Sequence, residues 1–506
     1  MSRKKIILIE PPFYRLYKES YALEMYPLSL GYLAATVKRD TDWDVMVYNS
    51  DFVPDAEMVQ LSYVAGQGYE NYLNNLKSQD SKVWQDVRTV IKEYSPDVVG
   101  ITAKSQNFAA VRIVARIVKE CCPVSIVVVG GPHPSMVGPD VLKCPDIDVG
   151  AVGEGEKTLV ELLERISSGF GLDGVAGISF RKSGAVVTNP PRGLIEDLDS
   201  LPYPHQYAKY VLKDYDKYPA AAFKGVFAIR GCPYACSFCG SRYIWSRSVR
   251  FRSPENVARE VQSLREMGLN IIRFDDDTFG VSKDYIKLLC AELKKRCPGL
   301  TWNCELHAKM VNSDILAVMK DAGCYQIQIG IESGDDGMLK KIGKNITIAE
   351  AVAANDLIRS FGMECHSFFM VGFPDETVET LANTRKAIES IQSDGLIYSV
   401  FTPYPGTDLF EVCRQQGSVG PEYDVALYNH QSPANHFCPN IPRDDFRAMY
   451  AEIAKIVQRK NNTSKLRRIY SAAEWRRLKD IGFRRSGRKL VSFVRGYLGD
   501  MFDRCR

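Results

Sequence analysis

Short apolar runs alternate with stretches whose apolar residues recur every three or four positions, and this alternation continues along most of the chain. Residues 4–9 read as a short buried strand closed by a Pro11-Pro12 turn. Helical periodicity follows over Leu28–Lys38, then a strand over Asp44–Tyr48. Beyond a polar segment the pattern predicts a helix at Trp84–Tyr94, a strand at Asp97–Thr102, a helix at Phe108–Cys121 and a strand at Ser125–Val129. That last strand ends in Gly130-Gly131-Pro132-His133-Pro134, and Val149–Val152 leads into Gly153-Glu154-Gly155-Glu156 and a further helix. Such an alternation predicts an α/β, doubly wound Rossmann-like sheet over residues 1–167. Ligands of such sheets lie beyond the carboxyl ends of the strands. The loops of interest are therefore Ala103–Asn107, which contains Ser105, Gly130–Ser135 and Gly153–Glu156, where glycines let backbone approach a bulky ligand.

Residues 168–222 are rich in glycine, proline and polar side chains and read as a connector, with a hairpin at Gly177–Thr188. The segment "LIEDLDSLPYPHQY" lacks periodicity and is expected to pack across both neighbouring domains. Over 223–420 strand and helix alternate again. Strands are predicted at Val226–Arg230, Ile271–Phe274, Thr301–Cys304, Tyr325–Ile329, Cys365–Val371 and Leu396–Thr402. The helices between them are placed at Glu255–Met267, Lys283–Lys295, Asn312–Lys320, Ile348–Phe361 and Glu376–Ile391. Six such units imply a partial (β/α)6 TIM-type barrel with its chemistry at the C-terminal ends of the strands. Residues 421–506 form a helical, basic C-terminal region, helical at 443–460.

The charge changes the picture only there. Net charge is +4, but residues 461–506 hold thirteen Lys/Arg against four Asp/Glu, a balance of +9 that leaves the rest at −5. Leu490, Phe493, Val494, Tyr497, Leu498, Met501 and Phe502 recur at helical spacing beside many arginines. This face suits either an anionic membrane surface or docking on the barrel or a partner. No nucleic-acid recognition module accompanies the charge. No apolar run approaches the ~20 residues of a membrane span; the best, Val124–Val129, reads as a buried strand. The apolar stretch near the start is too short for a signal peptide. Fourteen cysteines scattered through the chain then point to a reducing cytoplasm rather than a disulfide framework.

The densest chemistry is Arg230-Gly231-Cys232-Pro233-Tyr234-Ala235-Cys236-Ser237-Phe238-Cys239-Gly240, with cysteines spaced C-x3-C-x2-C. Three thiolates on one loop can each hold one iron of a [4Fe–4S] cluster, leaving the fourth iron open to a ligand with amino and carboxylate groups. Structural zinc asks for four ligands, and no second Cys pair stands nearby. No G-x-G-x-x-G follows the first strand, and no Walker motif occurs.

At these residues the chain resembles radical S-adenosylmethionine (SAM) enzymes with an N-terminal cobalamin-binding domain, over roughly residues 1–420. The segments "VVVGGPHPS" and "VGAVGEGEKTLVELLE" look like the cobalamin domain, and "FDDDTF", "IQIGIESG", "FFMVGFPDET" and "FTPYPGT" look like strand-end motifs of the radical SAM core. The resemblance implies that Cys232, Cys236 and Cys239 hold the cluster, with Phe238 beside it. It makes Glu332 a SAM contact, its carboxylate suited to a ribose diol or ammonium group, with Gly330 leaving room for backbone approach. It sets Asp275 and Asp277 around the SAM cleft and the adenine near segments such as Pro403-Tyr404. Cobalamin is expected at Ser105, Gly130, Gly131, His133, Gly153 and Glu154. No histidine sits in a D-x-H-x-x-G context, so the usual lower axial imidazole is not supplied by that motif. Where relatives often read W-x-C-x-x-R-x-D, this chain has Trp302, Cys304, His307 and Lys309, which makes His307 a candidate proton shuttle or substrate contact.

The implied chemistry is reductive cleavage of SAM to a 5′-deoxyadenosyl radical, hydrogen abstraction from an unactivated carbon, and methyl transfer from methylcobalamin. A single-electron donor such as flavodoxin or ferredoxin is implied. The substrate is a small molecule or a lipid. Two other readings stand beside this one: a cobalamin-containing cyclase or oxidase of the tetrapyrrole type, and a non-enzymatic redox-sensing module. A methylthiotransferase is disfavoured because further cluster cysteines would precede Cys121, the first in the chain.

Overall fold

The computed structural model describes residues 3–469, apart from residues 431 and 433. The first sheet has seven strands in the order β2-β1-β3-β4-β5-β6-β7. They are β1 (Lys5–Glu10), β2 (Asp44–Asn49), β3 (Val98–Thr102), β4 (Ile126–Gly130), β5 (Val149–Ala151), β6 (Ile178–Lys182) and β7 (Ala185–Thr188). The first five are parallel, and β6 and β7 add antiparallel strands at one edge. The continuous apolar runs are explained by burial on both faces. Ile6 and Leu8 pack with Leu30, Ala34 and Leu162 on one side, while Ile7 and Ile9 pack with Trp84, Val87 and Val114 on the other. The hairpin expected in the connector is thus the edge of this sheet. The Val124–Val129 strand begins only at Ile126, and Val124 is 94% exposed.

The second sheet is parallel, in the order β15-β14-β13-β12-β11-β8. Its strands are β8 (Gly225–Val226), β11 (Ile271–Phe274), β12 (Thr301–Leu306), β13 (Cys324–Glu332), β14 (Glu364–Val371) and β15 (Gly395–Val400). It is an open barrel with helices outside. Ile272, Phe274, Trp302, Ile327, Ile329 and Phe369 belong to the packed core, and the alternate residues face inward. The first barrel strand is broken: β8 pairs with β11, whereas β9 (Ile229–Arg230) turns away to pair antiparallel with β10 (Arg250–Phe251). The outer helix Pro254–Glu266 is capped by Ser253, whose side chain accepts from Asn256 N, with proline in its first turn.

The connector does bridge the two units. Arg39 donates to Ser200 O at 2.7 Å on one side, and Tyr203 donates to Asn256 O at 3.0 Å on the other. The C-terminal helix Arg443–Ile469 runs beyond the expected 443–460 and covers the open edge of β15. There Asn461 accepts from Leu396 N and donates to Leu396 O, both at 2.8 Å, satisfying an edge strand that could otherwise pair with another chain. The amphipathic face expected over Leu490–Phe502 lies outside the described residues.

Candidate functional site

The cysteine loop leaves β9 at the mouth of the barrel and is held by backbone from a distant turn, residues 342–344. Ser237 N donates to Ile342 O at 2.9 Å. Gly343 (φ +68°) comes so close that a Cβ there would sit 2.9 Å from Ala235 O. The ring of Tyr234 stacks on His307 with centroids 3.8 Å apart. His307 is 5% exposed; its Nδ1 accepts from Lys309 N and its Nε2 donates to Lys344 O at 3.3 Å. Burial, with the Lys344 ammonium adding to it, pushes its pKa down to about 4. His307 is therefore a neutral side chain with both nitrogens engaged, bracing the loop at the place where its position made it a candidate proton shuttle or substrate contact. His307→Ala removes the stack and two hydrogen bonds, together about 2–3 kcal/mol locally. Iron release to a chelator should be faster than in wild type, and His307→Phe, which restores only the stack, should fall between.

Lys344 also reaches the site by its side chain. Its Nζ donates to Glu332 Oε1 at 2.9 Å, and both residues are buried. Burial opposes the ammonium, but Glu332 and the nearby Cys236 and Cys239 outweigh it and hold its pKa up. Glu332 itself sits at φ +71°, at an irregularity in the β13–β14 register, a conformation a non-glycine residue rarely adopts. A Cβ at Gly330 would fall 2.3 Å from Glu332 Oε1 and 2.7 Å from Lys344 Nζ. Gly330 thus makes room for the Glu332–Lys344 ion pair.

The three aspartates after β11 diverge. Asp275 pairs with Arg273 at 2.5 Å, and the exposed Asp277 accepts from Ser241 Oγ at 3.1 Å. Asp276, 3% exposed, accepts Ala228 N at 2.9 Å and Ile229 N at 2.8 Å, pinning the break between β8 and β9 that aims the cysteine loop. Its other oxygen has no partner, and burial pushes its pKa from the ordinary 3.8 up to about 8. The folded protein keeps this proton while the unfolded chain releases it, so this group lowers stability progressively as pH rises from about 4 to about 8. Asp276→Asn mimics the protonated acid. The thermal midpoint of wild type, relative to this variant, should fall as pH is raised through that window.

Further strand ends complete the mouth. Phe238 lies 6.0 Å from Phe373. Glu376 is fully buried, accepts Gly372 N and Phe373 N, and is pushed up to about 8 by burial. Pro403 O accepts from Tyr423 at 2.9 Å, and Tyr404 OH meets His430 Nε2 at 2.8 Å.

The loops of the first sheet converge on the same region. Ser105 Oγ and His133 Nδ1 are 3.0 Å apart, and the His133 ring lies 4.2 Å from that of Phe108. Burial drives the His133 pKa down to about 4. Gly131 (φ +113°) approaches Ala103 so closely that a Cβ would lie 2.9 Å from its carbonyl oxygen, whereas one at Gly130 would make only ordinary contact with Ala151. Gly153 (φ +77°) faces open space, with nothing within 4 Å of a Cβ, which leaves room for a bulky ligand over this loop. Glu154 is different. Its oxygens accept from Arg230 at 2.7 Å, Arg250 at 2.7 Å and Ile195 N at 2.6 Å, and its side chain is 2% exposed. The Glu154 carboxylate, in the loop expected to face the cofactor, is engaged inside the protein by these groups. The two units touch directly where Met136, in the helix Pro132–Val137, meets Gly240 and Gly406: a Cβ at Gly240 would lie 2.5 Å from its sulfur.

The donor set fits the groups the motifs imply. All thirteen described cysteines are free. Burial raises the three loop thiols, Cys236 to about 11, so iron rather than the protein has to draw off their protons. Among the described residues no three His, Cys, Asp or Glu side chains gather closely enough for a single ion. A cluster asks instead for one thiolate per iron, around a body several atoms wide. Lys344, Asp276, Arg230 and Arg250 escaped the sequence reading. Lys344 is one of several lysines in its segment, and the partners of the other three are far away in sequence.

The family model described as the radical SAM superfamily matches residues 226–388, and that of the B12 binding domain matches residues 60–163. The chain is 32% identical to an uncharacterized methyltransferase of Pyrococcus horikoshii, covering 81% of this chain and 83% of that one. It is 31% identical to the anaerobic magnesium-protoporphyrin IX monomethyl ester cyclase of Rubrivivax gelatinosus, over 69% and 63% of the two chains. Among solved structures, the radical SAM methyltransferase TsrM of Kitasatospora setae, with cobalamin and a [4Fe–4S] cluster bound, superposes with a TM-score of 0.66 at 18% identity, covering 90% and 89% of the chains.

Proposed function

Because this chain belongs to the cobalamin-dependent radical SAM enzymes, whose cofactors are a [4Fe–4S] cluster, SAM and cobalamin, we propose that it methylates an unactivated carbon of a small polar molecule. The observation that carries the reading is the meeting of two loop sets: three thiols at the barrel mouth, and the Gly130–Glu156 loops pressed onto that mouth through Met136. The bound groups supply an electron, an adenosyl fragment and a transferable methyl group. The residues of the chain hold, orient and shield them. Cys232, Cys236 and Cys239 take the cluster, and the Lys344 ammonium offsets the negative charge of their thiolates. Glu332 stands ready to trade its lysine for an ammonium or ribose donor of SAM. Ser105, Gly130, Gly131, His133 and Gly153 form the corrin side, with His133 neutral.

The inner face of the barrel argues for a polar substrate. Arg273, Asn303, Glu305, Gln328 and His366 lie in register across neighbouring strands on the face opposite the packed core. Asn303 is 8% exposed, and its Oδ1 has no partner. A lipid there would leave the buried Asn303 Oδ1 desolvated and unpaired, at a cost of about 1–3 kcal/mol. Among the described residues no helix is long and apolar enough to cross a membrane. We place the enzyme in the cytoplasm, with flavodoxin or ferredoxin as electron donor.

The test is reduced holoenzyme given methyl-deuterated SAM and a cell extract divided into aqueous and lipid fractions. S-adenosylhomocysteine should form alongside 5′-deoxyadenosine, with label in an aqueous product. 5′-Deoxyadenosine without S-adenosylhomocysteine would favour the cyclase-type reading that the Rubrivivax relative represents. Label in the lipid fraction would overturn the polar substrate.

A further inference from the structure

We propose that Glu154 is a positioning residue that fixes the separation between the cobalamin loop and the cluster loop. It sits at the start of the helix Gly155–Ser168, in the Gly153–Glu156 loop of the first sheet. Every side-chain partner it has lies outside that sheet. Arg230 is the residue before Gly231-Cys232, and Arg250 stands directly opposite Arg230 in the β9–β10 ribbon. Two like charges facing each other across a ribbon repel. Here the repulsion is cancelled from the other unit: Glu154 Oε1 takes Arg230, Glu154 Oε2 takes Arg250, and Glu156 Oε1 takes the second Arg230 nitrogen at 2.6 Å. The helix N-terminus behind both carboxylates favours their charge. The ring of Tyr32, also from the first unit, lies 5.3 Å from the Arg230 guanidinium. Arg250 in turn donates to Ile195 O at 2.6 Å, tying in the connector.

The ribbon that delivers the three cysteines thus has its charge balanced only when the first sheet is docked against it. The side chains involved are almost wholly shielded from water, at 2% exposure for Glu154, 6% for Glu156, 10% for Arg230 and 12% for Arg250, so salt screens them little. Carboxylates shared between planar guanidinium groups fix direction as well as distance. Separation matters wherever two cofactors serve one substrate, because ångström displacements between reacting groups are costly. The inference rests on the presence of both cofactors and not on methyl transfer, so it stands or falls separately from the proposed reaction.

The measurement is the magnetic dipolar interaction between the reduced cluster and cob(II)alamin in frozen holoenzyme, read by pulsed electron paramagnetic resonance. Wild type should give one narrow distribution of separations. Glu154→Gln, at matched iron and cobalt content, should give a broader distribution with a longer mean. Glu161→Gln, on the same helix but paired with Arg192 away from the ribbon, should match wild type. An unchanged distribution in Glu154→Gln, or an equal broadening in Glu161→Gln, overturns the proposal. Should Glu154→Gln fail to hold either cofactor, Glu156→Gln, which removes one of the three ion pairs, carries the same two outcomes.

Discussion

Cys236→Ala is expected to leave a folded, cobalt-binding chain that has lost its iron and forms 5′-deoxyadenosine no faster than the protein-free control. The loop around Cys236 is held by backbone contacts to residues 342–344 and by the Tyr234–His307 stack, none of which needs the thiol. The fold should therefore survive where the cluster does not. On the proposed reading the three thiolates would each hold a different iron and act as a unit, so their effects should not be additive: the first substitution should cost roughly three orders of magnitude or more, and a second should add almost nothing. Iron per chain, the visible spectrum and the rate of SAM cleavage for Cys236→Ala and for Cys236→Ala/Cys239→Ala check this. Iron retained at the wild-type level in the single variant would move the cluster elsewhere.

Gly231→Ala should be nearly as damaging without touching a ligand. Gly231 lies at φ +107°, and a Cβ there would stand 1.9 Å from Ser248 O, a backbone atom that cannot swing aside. Either β9 and the segment entering β10 part, or the loop turns away; both misdirect Cys232. The expected loss is about 3 kcal/mol or more, with a fall in iron content. Gly268→Ala separates strain from collision, because that glycine has a similar φ of +91° with nothing within 4 Å of a Cβ. It should cost only about 1–2 kcal/mol. Thermal midpoints of the two variants, with iron per chain, give the comparison.

These effects show where the sequence was legible. The parallel sheets were, since a strand buried on both faces has to be apolar throughout and the helices between have to present one apolar stripe. The loop that carries Cys232, Cys236 and Cys239 was legible too, because the strand predicted before it does deliver it to the barrel mouth. The break at 227–228 was not: Val226-Phe227-Ala228-Ile229 is uniformly apolar, and the carboxylate that breaks it, Asp276, lies 48 residues beyond Ala228. The role of Glu154 was hidden in the same way, by arginines 76 and 96 residues away. His307 could be singled out by type and place, but its neutral, bracing state follows from Tyr234 and Lys344, whose approach only the fold creates. Gly177–Thr188 read correctly as a hairpin, yet its attachment to the first sheet depends on the β5–β6 pairing, for which no local pattern codes.

The most direct test is the cofactor content of protein purified without oxygen from cells supplied with cobalamin. About four irons and one cobalt per chain, with cobalt but not iron surviving in Cys236→Ala, is the predicted result. Iron without cobalt in the wild-type protein would contradict the two-cofactor account and leave the Gly130–Glu156 loops to serve a substrate or a partner.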